Sequence, residues 1–354
     1  MTERAPASAA VVGAIHPGPS PATDRPGGAW MPYSPCGPAC LPPGGPPRRL
    51  RIARRCCALT ALLLVALPLV WLPRARLRGR TVAWLSRGVL RAAGVRLRIR
   101  GGRYAEPGEG ALVVANHLSW IEVLALGAAQ PVRMLAKREV RDWPVIGALA
   151  ARTGTLFVDR AGLRGLPATA AAVAEALGAG EVVGVFPEGT TWCGGAAGPF
   201  RRAAFQAALE AGAPVRPVAI TLRLRDGTPA RAAAFIGEDT FLGALRRAMG
   251  LPGLVCELTV LPAIGPGAAD RRELAAAAGA AIAAVTGVAH PVHPGPVSRP
   301  AATRHGPSPA SSWTGCASGA HGVETSRGRR HGPRRNAGDG GPRPHVQREV
   351  DVGA

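Results

Sequence analysis

Between Arg48 and Arg100 the 354-residue sequence has no acidic residue, against 14 arginines. Lysine is nearly missing from the whole chain, with Lys137 standing alone among 43 basic residues. From residue 17 to residue 289 the only histidine is His117. Each scarcity excludes something. The formal charge of +21 suggests a nucleic-acid binder until it is divided along the chain. Residues 1–47 hold 2 basic and 2 acidic groups, residues 101–288 hold 18 and 16, and residues 289–354 hold 9 arginines against 4 acids. A nearly neutral body offers no basic surface for specific nucleic-acid recognition, and the tail arginines could bind polyanions only nonspecifically. The seven cysteines, at 36, 40, 56, 57, 193, 256 and 316, contain no C-x2-C pair, so neither a structural metal cluster nor a disulfide framework is expected.

Proline and glycine concentrate at the two ends. Residues 1–47 run through His-Pro-Gly-Pro-Ser and Pro-Pro-Gly-Gly-Pro-Pro, and residues 289–354 mix Pro, Gly, Ser, Arg and His without apolar periodicity. Both are predicted to be disordered, with Cys36 and Cys40 in the leader. Residues 101–288 are left to form one domain. Residues 48–100 read as a basic membrane-anchoring helical region, because Cys56 to Pro73 is an uncharged run of 18 residues between Arg55 and Arg74. At about 1.5 Å per residue it reaches roughly 27 Å, against about 30 Å of bilayer hydrocarbon. A full span and a shallow re-entrant insertion kinked at Pro68 both meet these lengths. Arginine on both sides leaves the orientation open, and the Arg54-Arg55 pair has no small-residue cleavage site before Arg74. Cys56 and Cys57 are placed to pack in lipid or accept palmitate. In residues 81–94, at about 100° per residue, Arg80, Arg87 and Arg91 fall on one stripe with Val82, Leu85, Val89 and Ala93 opposite. That is a basic amphipathic helix for which the apolar run just upstream favours an anionic lipid surface over packing on a core.

From residue 111 short apolar runs alternate with helical segments, the pattern of an α/β fold. Strands are predicted at 111–115, 155–158, 182–186, 215–222, 233–237 and 256–261, and helices near 119–129, 144–152, 167–178, 199–211 and 270–286. Pro167 and Gly178 frame the third helix, and Asp270 with Glu273 forms a capping box for the last.

The chemistry-bearing residues lie at strand ends. Asn116 and His117 follow the strand at 111–115 and precede a helix, at the carboxyl edge where α/β folds build sites. A free imidazole titrates near about 6.5 and accepts a proton at neutral pH. Glu122, if Ser119 is the N-cap, is the third helical residue and can bend back to orient the ring. Ser119-x-x-Glu122 is also an ordinary capping box, so the segment alone fits a structural role as well. Phe186-Pro187-Glu188-Gly189-Thr190 ends a second strand and opens a glycine-rich loop whose amides could face an anion. Lys137 and Arg160 are basic groups able to neutralise a phosphate, or ordinary surface charges.

Taken in order, these segments resemble the glycerolipid acyltransferases, of which 1-acylglycerol-3-phosphate O-acyltransferase is the type. Asn116-His117-Leu118-Ser119-Trp120-Ile121-Glu122 is similar to the family's H-x4-D block, and Lys137 through Arg160 to its second. Phe186 to Thr190 resembles the third block and Val215-Arg216-Pro217-Val218-Ala219-Ile220 the fourth, so the likeness spans residues 80–262. It implies a mixed sheet wrapped by helices, with N-terminal membrane-attaching helices. It implies His117 as base with Glu122 holding it, and a substrate-phosphate region formed by Phe186, Pro187, Glu188, Gly189 and Thr190 with Arg160 and Lys137. Glu122 stands where the family usually has Asp, and Thr191 where many members carry Arg.

The activity so implied moves an acyl chain from acyl-CoA or acyl carrier protein to a lysophospholipid hydroxyl, with lysophosphatidic acid giving phosphatidic acid. No metal and no bound cofactor is expected. Another acceptor, such as lyso-ornithine lipid, is the alternative, and a non-catalytic lipid-binding membrane protein is the alternative of another class. Membrane lipids are the expected partners. The expected location is the cell membrane, with the catalytic domain on the cytoplasmic side.

Overall fold

The computed structural model describes residues 32–42, 48–70, 78–143, 146–159, 165–265, 270–291 and 350–351. Two helices lead, α1 (Arg49–Val70) and α2 (Arg78–Ala92), followed by β1 (Val95–Arg100), β2 (Ala111–Ala115), α3 (Ile121–Ala129), β3 (Arg133–Lys137), α4 (Ile146–Arg152) and β4 (Leu156–Val158). Then come α5 (Leu166–Gly178), β5 (Val182–Val185), α6 (Ala203–Glu210), β6 (Val215–Leu224), α7 (Phe241–Gly250), β7 (Leu254–Val260), α8 (Arg271–Thr286) and the short β8 (Val350–Asp351).

The strands form one mixed sheet in the order β4-β3-β5-β2-β6-β7-β1-β8. β2 pairs in parallel with β5 on one side and β6 on the other, whereas β6 and β7 run antiparallel. Strand β2 is buried on both faces, as the uninterrupted Ala-Leu-Val-Val-Ala run requires. Val113 and Ala115 face a core with Leu90 of α2, Ile121, Ala125 and Leu126 of α3 and Met249 of α7. Leu112 and Val114 face the opposite core, with Val173 and Leu177 of α5, Phe205 of α6 and Leu274 and Ile282 of α8. The expected sheet wrapped by helices is therefore present.

Several expectations are corrected. Residues 233–237 make no strand; a 3-10 turn at Arg231–Ala233 leads into a loop whose Ala234 and Ile236 join a separate apolar cluster. Strands β1 and β3 and helix α7 are additional. β1 reads Val-Arg-Leu-Arg-Ile-Arg, and its period-2 alternation buries Val95 and Leu97, so the sheet begins inside the region assigned to membrane anchoring. Residues 32–42 lie against the body with Cys36 only 5% exposed, and His290, assigned to the tail, has a side chain only 3% exposed.

Two of the basic residues ahead of the apolar run bond the body of the protein. Arg51 donates to the Gly250 carbonyl at 2.9 Å, and Arg55 to those of Met249 and Leu251 at 2.7 and 2.9 Å. They satisfy orphan carbonyls at the end of α7 and dock α1 on the body. Among the described residues no helix is long and apolar enough to cross a membrane. In α2 the apolar stripe is partly as expected, with Leu85 buried and Ala93 buried just past the helix end, while Arg80, Trp84 and Arg91 are exposed.

Candidate active site

The site is built where β2 and β5 end side by side. The buried Asn116 amide spans the gap to β6, donating to the Ile220 carbonyl at 2.8 Å and accepting from the Ile220 amide at 2.9 Å. These two bonds fix the point at which the chain leaves the sheet, so His117 follows in a set place.

His117 is held from every side. Its amide donates to Glu188 Oε2 at 2.7 Å, and its carbonyl accepts from the Trp192 amide at 2.8 Å. Its ring stacks on Phe186 with centroids 3.9 Å apart and planes 9° from parallel. Its Nδ1 lies 3.3 Å from Glu122 Oε2. Glu122 is fully buried, and the same oxygen accepts from the amides of Leu118 at 3.2 Å and Ser119 at 2.5 Å. The N-cap expectation shifts by one, because α3 starts at Ile121 after Trp120, which makes no side-chain cap bond. The Ser119 hydroxyl still accepts from the Ile121 amide at 3.2 Å. Capping box and orienting carboxylate thus coincide: Glu122 closes the helix start and fixes the ring through Nδ1. Nε2 is the ring nitrogen that Glu122 does not engage.

Glu188 is buried at the centre of this arrangement. It accepts from the amides of His117 and Gly198, the latter at 3.2 Å. Burial pushes its carboxyl up to about 8, helped by the charge of Glu122 and opposed by the two amides. His290 follows the α8 end, where Gly287 adopts φ 72°, and its Nδ1 bonds the Gly198 carbonyl at 3.0 Å. Burial drives this imidazole below its ordinary range, with the carbonyl opposing. It approaches Glu188 to 3.6 Å, and burial shifts both groups toward their uncharged forms.

The third segment forms a tight turn. Gly189 takes φ 77°, and a Cβ there would meet Pro32 Cγ at 2.7 Å and Arg201 Nε at 3.5 Å. Phe186, Pro187 and Gly189 line a cavity of about 370 Å³ together with Val173, Arg201 and Arg202. A smaller cavity of about 90 Å³ is bounded by His117, Glu188, Trp192 and Arg231. Thr190 is half-buried beside the turn, and the Thr191 hydroxyl donates to the Phe235 carbonyl.

The remaining predicted residues part company. Lys137 is exposed at the carboxyl end of β3 and lines neither cavity, and Arg160 lies outside the described residues. His290 and Arg201 take places at the site that spacing did not assign them. Cys193, whose spacing to Cys36 and Cys40 carried no signal, comes together with both.

Residues 96–221 match the protein family described as Acyltransferase. The chain is 39% identical over 239 residues to the lyso-ornithine lipid O-acyltransferase of Pseudomonas aeruginosa, covering 64% of this chain and 90% of that protein. It is 41% identical over 157 residues to the 1-acyl-sn-glycerol-3-phosphate acyltransferase of Neisseria meningitidis, covering 44% of this chain and 60% of that protein. The crystal structure of the 1-acyl-sn-glycerophosphate acyltransferase of Thermotoga maritima matches with a TM-score of 0.53 at 19% identity, covering 68% of this chain and 94% of that one.

Proposed function

The chain belongs to the acyltransferase family and is an acyltransferase, and on that premise we propose that His117 is the base that activates a lyso-lipid hydroxyl. The observation that carries this reading is the 3.3 Å contact between His117 Nδ1 and the buried Glu122. The hydroxyl proton passes to His117 Nε2 as the oxygen attacks the carbonyl carbon of an acyl thioester. The tetrahedral intermediate collapses, the carbon–sulfur bond breaks, and the departing thiolate takes the proton back from the imidazolium. The products are an ester and a free thiol. Glu122 touches the ring rather than the substrate and acts as a positioning residue. The amides of Thr190 and Thr191 make no hydrogen bond within the described residues, and they are the donors we assign to the oxyanion.

The acceptor we favour is lysophosphatidic acid, with acyl-CoA or acyl carrier protein as donor. Arg201 and Arg202 line the same cavity as Phe186, Pro187 and Gly189, which supports a cationic phosphate site beside the third block despite Thr191. Lyso-ornithine lipid is the second reading, supported by the relative that is matched over 90% of its length. Acylation assays on membranes carrying the protein separate them: acylation of lyso-ornithine lipid but not of lysophosphatidic acid would remove the first reading. In either assay His117→Ala is expected to lower turnover by about 10²-fold or more, with membrane attachment retained.

We place the enzyme on the cytoplasmic face of the cell membrane, attached through α1 and α2. Leu63, Leu64 and Val65 of α1 and Trp84 of α2 are exposed large apolar groups, the last between Arg80 and Arg91. An exposed apolar stretch together with a basic, Trp-bearing helix suits insertion into one leaflet.

A further inference from the structure

Residues 32–42 carry two cysteines that the catalytic scheme does not use. The chain turns back through a 3-10 helix at Pro38–Cys40, with the Cys40 amide bonded to the Gly37 carbonyl at 2.9 Å and the Leu41 amide to that of Pro38 at 3.0 Å. The turn brings Cys40 round to Cys36, a C-x3-C spacing inside the range of two to four residues that zinc sites use. The third thiol, Cys193, comes from the loop after Thr190. The three sulfurs all lie within 4.8 Å of one another, with Cys36 and Cys193 buried beside Trp192, Ala234 and Ile236. The Gly195 amide donates to Cys193 Sγ at 3.4 Å, the kind of bond that supports a thiolate.

An odd number of converging sulfurs suits a shared ligand better than a disulfide, which would use two and leave one. Ligands about 2.3 Å from a tetrahedral zinc stand roughly 3.8 Å apart, which this cluster accommodates. Weak S–H hydrogen bonds give little reason for three thiols from two distant segments to meet in an apolar cluster.

We propose that Cys36, Cys40 and Cys193 bind one zinc ion as thiolates and that the ion pins the 32–42 segment onto the loop that supports His117. Each thiol gives up its proton to water on binding, and a water or small anion fills the fourth position. The mechanical consequence follows from the contacts already described. Beyond Cys193 the same loop supplies Gly198, whose amide holds Glu188; just before it, the Trp192 amide holds the His117 carbonyl; and Pro32 lies against Gly189. The metal is thus a positioning device, separate from the chemistry at His117, and the proposal does not depend on which acceptor is used.

The test is metal content of the full chain, expressed with added zinc and purified under reducing, oxygen-free conditions. About one zinc per chain is expected, with Cys36→Ser, Cys40→Ser and Cys193→Ser each lowering occupancy about tenfold or more and Cys57→Ser, on exposed α1, leaving it unchanged. Cobalt in place of zinc should give thiolate-to-cobalt charge-transfer absorption that each of the three variants loses. Because a variant could misfold, the wild-type chain supplies a second measurement: a chelator should make three more thiols available to alkylation while the protein stays folded. A wild-type chain that takes up neither zinc nor cobalt, or one whose peptide map shows a Cys36–Cys193 disulfide under those conditions, overturns the proposal.

Discussion

At the scale of single residues, the carboxylates do different work. Glu122 Oε2 accepts from two backbone amides as well as facing His117, so Glu122→Gln keeps an acceptor for those amides but removes the charge that would stabilise an imidazolium. Its expected effect is a fall in kcat of about 10²- to 10⁴-fold with KM little changed, read from saturation kinetics on the folded variant. Glu188 is a pH-dependent element of stability. Its carboxyl is raised from 4.5 to about 8 in the folded protein, so between those values the native state holds a proton that the unfolded state has released. That contribution is complete below about 4.5 and is lost as pH rises through about 8. Glu188→Gln should flatten this part of the profile of Tm against pH; an unchanged slope would show that the group is not protonated when folded. His117 and Glu122 were readable because they lie five residues apart across one strand-to-helix junction. His290 was not, because a composition typical of disorder begins within the same stretch. Its place is set by contacts with Gly198 and Phe200, far away in sequence.

At the scale of elements, the buried two-faced strand and the helices with clear end signals were the legible parts. β2 has the predicted bounds, and Asp270 caps α8 by accepting from the amides of Arg272 and Glu273 at 2.6 and 3.0 Å. β1 was hidden by its own arginines, since a count of charge per segment erases the alternation that makes a strand. Residues 233–237 failed in the opposite way, because an apolar run with no partner strand was buried as loop. The turn at Gly189 combines both kinds of constraint. A side chain at φ 77° costs about 1–2 kcal/mol, and its Cβ would also collide with Pro32. Gly189→Ala should therefore lower Tm by about 2–4 °C for each kcal/mol lost, and it should make the chain before Pro38 easier for a protease to cut. Unaltered cleavage there would mean that Pro32 does not rest on this turn in solution.

At the scale of the whole molecule, charge and apolar surface are divided between different tasks. The arginines of residues 48–100 do not act as one patch: Arg51 and Arg55 hold α1 to α7, Arg98 and Arg100 of β1 pair with Glu257 of β7, and Arg80 and Arg91 remain exposed beside Trp84. The uncharged run from Cys56 to Pro73 would reach roughly 27 Å as a helix, a little short of about 30 Å of hydrocarbon. The proposed attachment from one side needs no helix longer than that. On this reading the exposed apolar stretch of α1 is the insertion point, with Leu64 70% and Val65 63% exposed. Leu64→Asp combined with Val65→Asp should abolish binding to anionic phospholipid vesicles, because each charge placed in hydrocarbon costs about 2.5–3.5 kcal/mol. The same variant should keep kcat toward a short-chain acceptor dissolved below its critical micelle concentration, where no surface has to be found. Loss of activity on both forms of acceptor would instead make α1 part of the catalytic body, and vesicle binding that survived the double substitution would move the insertion point elsewhere on the molecule.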